Sequence, residues 1–360
     1  MDKANMLPHE EQFATLLGLV QRYSPSGQEA GAVAWLVARM RALGYGQAFG
    51  DQAGNAVGVM GEGARQIVLL GHIDTVPGEI PLRCEAGRLY GRGAVDAKGP
   101  LAAFVDAAAR LGPLPGWQVV VIGAVDEERQ SSGARYVAPR YQPEFAIIGE
   151  PSRWDRVTLG YKGSAWAQVR TRRAVSHSAA QDESASEAAF ECWAAIQDWA
   201  ADFNQGRERH FDQVSPTLRG LASGEDGFEA WAELRVGARL PPSFEPQDWH
   251  QQLRQLCQDA QVQPQGFPIP AYTAEKNTPL VRAFLASIRA SGARPGFVLK
   301  SGTADLNIVA PIWNCPAVAY GPGDSSLDHT PNEHLALQEY SRAVEVLAGV
   351  LRRLSEQAGT

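Results

Sequence analysis

The chain has 360 residues, 44% hydrophobic and 20% charged, with a net charge of −7. That length exceeds one hydrophobic core and predicts two domains, and the acidic balance excludes nucleic acid as the main partner, because binding phosphate needs a basic surface. No apolar run reaches the roughly 18 residues of a membrane span, and Met1–Glu11, with Asp2, Glu10, Glu11 and no apolar stretch, does not read as a signal peptide.

Taken in chain order, residues from about Glu10 to Leu43 read as two helices. Ala32, Trp35, Leu36, Arg39, Met40 and Leu43 keep helical spacing, and Gly44 stops the second one. Tyr23-Ser24-Pro25-Ser26-Gly27 between them is turn chemistry. Short strands follow at Ala56–Met60, Ile67–Leu70, Val119–Val125 and Phe145–Ile148, with an Ala-rich helix over Pro100–Leu111. Ile67-Val68-Leu69-Leu70 and Val119-Val120-Val121-Ile122 are apolar without alternation, as in strands covered on both faces. The pattern predicts an α/β domain with helices over both faces of a mainly parallel sheet.

Beyond Glu150-Pro151 the character changes. Val157–Thr171 alternates like one edge-exposed strand, Ser184–Phe203 is an amphipathic helix, Phe228–Leu240 a second alternating strand and Pro246–Asp259 a helix. Strand–helix–strand–strand–helix–strand predicts a small α+β domain inserted over residues 157–270, with Pro264–Pro270 leading out of it. The α/β pattern resumes with helix Thr278–Ser291, loop Ser301–Asn307, strand Pro316–Tyr320 and helix Ala336–Leu354, so residues 1–156 and 271–360 form the main domain. Cys84, Cys192, Cys257 and Cys315 are scattered with no C-x-x-C, which predicts reduced, packed thiols and a cytoplasmic protein.

The chemistry is carried by His72, Asp96, Glu127-Glu128, Glu150 and His329, each just after a predicted strand or in a Gly-containing loop. In extended backbone His72 and Asp74 face the same way, so Asp74 can take the second N–H of an imidazole whose other nitrogen binds a metal. Asp96, in Gly91-Arg92-Gly93-Ala94-Val95-Asp96-Ala97-Lys98-Gly99, is either a helix N-cap or a carboxylate bridging two cations. That loop lacks the third glycine of a dinucleotide fingerprint. Asp126-Glu127-Glu128 ends a buried strand, where three acids are costly unless something positive sits there. Adjacent side chains diverge, so one glutamate as ligand and the other as general base is the economical division. Together the set supplies the nitrogen and carboxylate donors and the free base of a two-zinc hydrolase.

In this order, His72-x-Asp74, Asp96-x-Lys98-Gly99, Glu127-Glu128, Glu150 and His329 resemble the M20 metallopeptidase family over almost the whole chain. The resemblance implies two zinc ions per subunit, with cobalt able to substitute. Asp96 would bridge them, His72 and Glu150 would hold one, and Glu128 and His329 the other. Glu127 would be the general base, with Asp74 behind His72. The inserted domain, ferredoxin-like in this family, would be a lid through which a homodimer forms. Its His177, in Ser176-His177-Ser178, would stabilise the oxyanion in the partner subunit's site. Arg239 falls where the family places a substrate-carboxylate arginine, with Arg235 as its competitor. Ser301-Gly302-Thr303-Ala304-Asp305 resembles the family's substrate loop, with Ala304 where many members have Ser.

Gly91–Ala103, Lys300–Asn307 and Tyr320–Glu333 are similar to family members that free lysine or ornithine from an acidic amino-group carrier protein. Such an enzyme needs cations at the cleft mouth, for which Arg92, Arg129, Arg135, Lys162, Arg172 and Arg173 are candidates. The alternatives are a small-molecule deacylase or dipeptidase of the same family, or a catalytically dead binding protein on the same scaffold.

Overall fold

A computed structural model describes residues 11–177 and 182–357. By packing, the chain divides into two compact units. The first comprises the chain up to Gly160, Ala274–Val298 and everything from Ala304 onward; the second comprises Tyr161–Thr273 with Leu299–Thr303.

In the first unit seven strands lie side by side in the order Gln47–Gly50, Ala56–Met60, Trp117–Ala124, Arg65–His72, Phe145–Gly149, Ala317–Tyr320 and Arg156–Tyr161. The four central neighbours, from Trp117–Ala124 to Ala317–Tyr320, are mutually parallel; the flanking strands pair antiparallel. Ile67, Val68, Leu69 and Leu70 are all 0% exposed, which requires cover on both faces and explains why this segment is apolar without alternation. A strand at Gln47–Gly50 and a small antiparallel sheet of Arg83–Glu85, Arg88–Tyr90 and His334–Ala336 are too short to show in the sequence pattern.

The ends of the parallel strands carry a row of glycines in register, Gly123, Gly71 and Gly149. A Cβ on Gly71 would stand 3.3 Å from Leu101, and one on Gly149 would stand 3.0 Å from the Phe104 ring. Their absence lets the helix Lys98–Leu111 lie directly on the sheet, so the turn before it, carrying Asp96, sits over the strand ends. Gly99 makes the same concession on the other side: a Cβ there would be 2.4 Å from the Ala94 carbonyl oxygen and 2.8 Å from Leu335.

The second unit is a four-stranded antiparallel sheet in the order Ser215–Glu225, Glu229–Leu240, Gly163–Ala174 and Gln261–Ile269. Ala165, Val169, Leu234 and Val236 from its strands meet Ala189 and Ile196 of helix Ala185–Asn204 and Trp249 and Leu253 of helix Pro246–Leu256 in one core. Ser184 and Glu187 form a reciprocal capping box at the start of the first helix.

Two local expectations change. Val157–Thr171 is not one strand but two, broken at Lys162, whose ammonium turns inward onto the carbonyls of His210 and Gln213 and the Ser215 hydroxyl. Pro264–Pro270 does not merely lead out, since residues Gln261–Ile269 form the outer strand of the sheet. Proline is tolerated at an edge, where its missing N–H breaks no ladder.

Gly99→Ala tests the close approach. Pushing a methyl group into a backbone carbonyl is expected to cost about 1–3 kcal/mol, read as a lower urea midpoint. An unchanged midpoint would show that the turn is free to move aside.

Candidate metal centre

Each parallel strand ends in, or runs straight into, part of the site. His72 ends Arg65–His72; Asp126, Glu127 and Glu128 follow Trp117–Ala124; Glu150 follows Phe145–Gly149; and the loop bearing His329 follows Ala317–Tyr320. Side chains from distant parts of the chain thus gather at the carboxyl edge of one sheet, where open α/β sheets place their sites.

The centre of the cluster is Asp96. Its Oδ1 lies 3.1 Å from His72 Nε2 and its Oδ2 lies 3.1 Å from His329 Nε2. His329 Nε2 is also 3.0 Å from Glu128 Oε1. His72, Asp96 and Glu128 offer ligand atoms all within 4.8 Å of one another. Behind them, His72 Nδ1 donates to the Asp74 carbonyl at 3.0 Å and sits 3.4 Å from Asp74 Oδ1. Asp74, 0% exposed, also accepts the Glu127 and Glu128 backbone N–H groups at 3.1 Å each and the Ser26 hydroxyl at 2.7 Å. One carboxylate therefore orients the histidine and the acidic turn together. Asp126 and His329 both have positive φ, 65° and 61°, strained conformations that gather where side chains must be aimed.

Both nitrogens of His72 face oxygen atoms, the Asp74 carbonyl and Asp96 Oδ1. Burial opposes a charge on the ring, but the hydrogen bonds to Asp74 and Asp96 and the charges of Glu127 and Asp96 raise its pKa well above the usual value. Hydrogen bonds to Asp96 and Glu128 lift His329 to about 10. Burial works against Asp96 as an anion, but its bonds to the two histidines hold it well below the usual carboxylate range. Burial, with the charges of Glu150, Asp305 and Glu128, raises Glu127 well above the glutamate range against the pull of His72. Such a crowd of carboxylates demands compensating positive charge. The donors, imidazole nitrogen and carboxylate oxygen with one carboxylate facing two ways, fit a pair of divalent cations of the zinc type.

Several neighbours of the cluster were assigned no role of their own from the sequence. Ser26 reaches Asp74 across 48 positions. Asp305, almost fully buried at the start of helix Asp305–Trp313, adds like charge near Glu127; burial raises its own carboxyl to about 6. Lys98 is buried with its ammonium 2.6 Å from the Arg22 carbonyl, and burial draws it to about 7 although Glu333 and Asp74 pull the other way.

The remaining expected site residues belong to the second unit. Arg239 donates from Nη1 to Thr303 Oγ1 at 2.9 Å, beside the partly exposed Gly302 and exposed Ser301. His177 is exposed after strand Gly163–Ala174, and Ser178 lies outside the described residues. Two of the six candidate cations are buried rather than offered to a partner. Arg92 is buried and paired with Glu333 at 2.9 Å, and Lys162 is buried and held by three oxygens; each cation supports its own fold. Arg172 pairs with Glu229, and Arg173 with Glu183.

Comparison with known proteins identifies the family. The profile of peptidase family M20/M25/M40 matches residues 68–353. The chain is 44% identical to a LysW-lysine hydrolase of Deinococcus radiodurans over 92% of its own length and 93% of the relative. It is 41% identical to a Thermococcus kodakarensis protein, provisionally named a LysW-lysine/LysW-ornithine hydrolase, over 97% and 94% of the two chains. Among solved structures, a tripeptidase from Staphylococcus aureus has the same fold, with a TM-score of 0.78 at 19% identity, covering 98% of this chain and all (100%) of that one. No helix among the described residues is long and apolar enough to cross a membrane. With the family profile spanning every residue of the cluster and long relatives above two-fifths identity, this chain belongs to peptidase family M20/M25/M40 and is a metal-dependent hydrolase of an amide bond.

Proposed function

We propose that this protein cleaves the amide joining lysine or ornithine, through its α-amine, to the γ-carboxyl of the C-terminal glutamate of the carrier protein LysW, in lysine and arginine biosynthesis. The reading is carried by the full-length similarity to a relative named for that reaction. The preserved acid–base and ligand set supports it, and argues against a binding protein that has lost its chemistry. We place the protein in the cytoplasm as a homodimer formed through the second unit.

His72 and Glu150 would hold one zinc ion and Glu128 and His329 a second, with Asp96 between them; cobalt is an acceptable substitute. When bound, such ions polarise the scissile carbonyl and lower the pKa of a water from about 15.7 towards about 7. Glu127 then takes the proton of the attacking water and delivers it to the departing α-amine. Asp74 keeps Glu127 and Glu128 apart by pinning their backbone N–H groups, so one side chain can ligate while its neighbour moves a proton. Following the family pattern, His177 of one subunit supports the oxyanion in the other, Arg239 receives the substrate carboxylate, and Ser301, Gly302 and Thr303 line its path.

Purified zinc-loaded protein is expected to turn over lysyl- or ornithyl-LysW far faster than acetylornithine or succinyl-diaminopimelate. Preference for either small amide would replace the carrier reading with that of a small-molecule deacylase. Glu127→Gln should retain metal but lose roughly 10²–10⁴-fold in kcat; undiminished turnover would remove Glu127 from the reaction. Binding should also release protons. Each histidine must ligate as a neutral imidazole, and hydrogen bonds to carboxylates raise both above the usual value, His329 to about 10. Apparent zinc affinity should therefore climb as pH rises from 6 to about 10, with proton release measured by calorimetry in buffers of different ionisation enthalpy. A pH-independent affinity would contradict the ligand roles of both histidines.

A further inference from the structure

The loops carrying Asp96 and His329 leave the same end of one strand pair. Arg88–Tyr90 runs into Gly91 and on to Asp96, and His334–Ala336, paired antiparallel with it, is preceded by the His329 loop. Where the two loops part, Glu333 spans the gap between them. Its side chain is 0% exposed. Oε1 accepts the backbone N–H of Val95 at 2.9 Å and of Asp96 at 3.1 Å. Oε2 accepts Arg92 Nη1 at 2.9 Å, and the Glu333 carbonyl accepts the Gly91 N–H at 3.4 Å. Arg92 completes the bracket by donating from Nε to the Gly78 carbonyl at 2.8 Å and from Nη1 to the Thr330 carbonyl, one residue beyond His329, at 3.3 Å.

A buried ion pair is a poor source of net stability, since desolvation consumes most of its attraction. Its directional bonds do fix where two segments stand relative to each other. Here those segments bear the central carboxylate and one of its two histidine partners. We propose that Glu333 is a positioning residue of the metal centre, with Arg92 as its partner, and that together they set the separation of Asp96 from His329. The inference rests on the metal-centre reading above, and adds to it two residues that touch neither substrate nor metal.

The test measures zinc affinity of metal-free protein by competition with a chromophoric chelator, alongside the visible spectrum of the cobalt-loaded form. Two variants are compared with the wild type. Glu333→Gln keeps an acceptor but sets an amide NH2 against the Arg92 guanidinium, leaving that cation buried and unpaired. Arg92→Met combined with Glu333→Gln removes both charges, which restores folding if the single variant is unstable. The double variant is expected to show wild-type far-ultraviolet circular dichroism, a zinc affinity weaker by roughly 10–100-fold and an altered cobalt spectrum. A folded double variant with wild-type affinity and spectrum would overturn the positioning role. Wild-type protein that takes up no zinc or cobalt would overturn the metal-centre reading itself, and the inference with it.

Discussion

Asp96 presents one carboxylate oxygen to His72 and the other to His329, and the rest of the site is arranged to make that division possible. A carboxylate this enclosed would ordinarily lose its charge; it stays ionised because cationic partners approach from both sides. The two histidines do this here, and a divalent cation held by the same side chains would do it more strongly. The surrounding acids, Glu127, Glu128, Glu150 and Asp305, make sense on the same terms. They are unfavourable among themselves and become favourable around concentrated positive charge.

The scaffold accomplishes this with small residues. The in-register glycines at the strand ends remove side chains that would hold helix Lys98–Leu111 away from the sheet, and Gly99 lets the preceding turn fold back under Leu335. Asp74 then acts as a hub, receiving Ser26, the imidazole of His72 and two backbone N–H groups of the acidic turn. Because it grips Glu127 and Glu128 by their backbone, the two side chains stay free for different work. Metal centres depend on such outer partners almost as strongly as on the ligands themselves.

Membership of peptidase family M20/M25/M40 accounts for cleavage of an amide bond without selecting which one. The second unit has its own core and carries three of the six candidate cations, Lys162, Arg172 and Arg173. Several are already committed: Lys162 is buried, and Arg172 and Arg173 are paired with Glu229 and Glu183.

His72 ends a strand, Glu150 directly follows one, and Glu127 and Glu128 come soon after another, so hydrophobic pattern drew attention to them in the sequence, while Asp96 and His329 stood out as possible ligands in Gly-containing loops. The parallel core and the strand–helix order of the inserted unit were legible from the same hydrophobic pattern. Short strands such as Arg83–Glu85 and His334–Ala336 were not, since three residues carry too little periodicity to register. Nor was the break at Lys162, where a lysine turns inward because three oxygens happen to await it. Arg92 is the clearest case: from sequence it read as a surface cation, and only the fold supplies Glu333, 241 positions later, to bury it. Residue type and strand position reveal which groups can do chemistry. Which of them meet, and which charges are neutralised, depends on contacts between segments whose separation along the chain leaves no periodic trace.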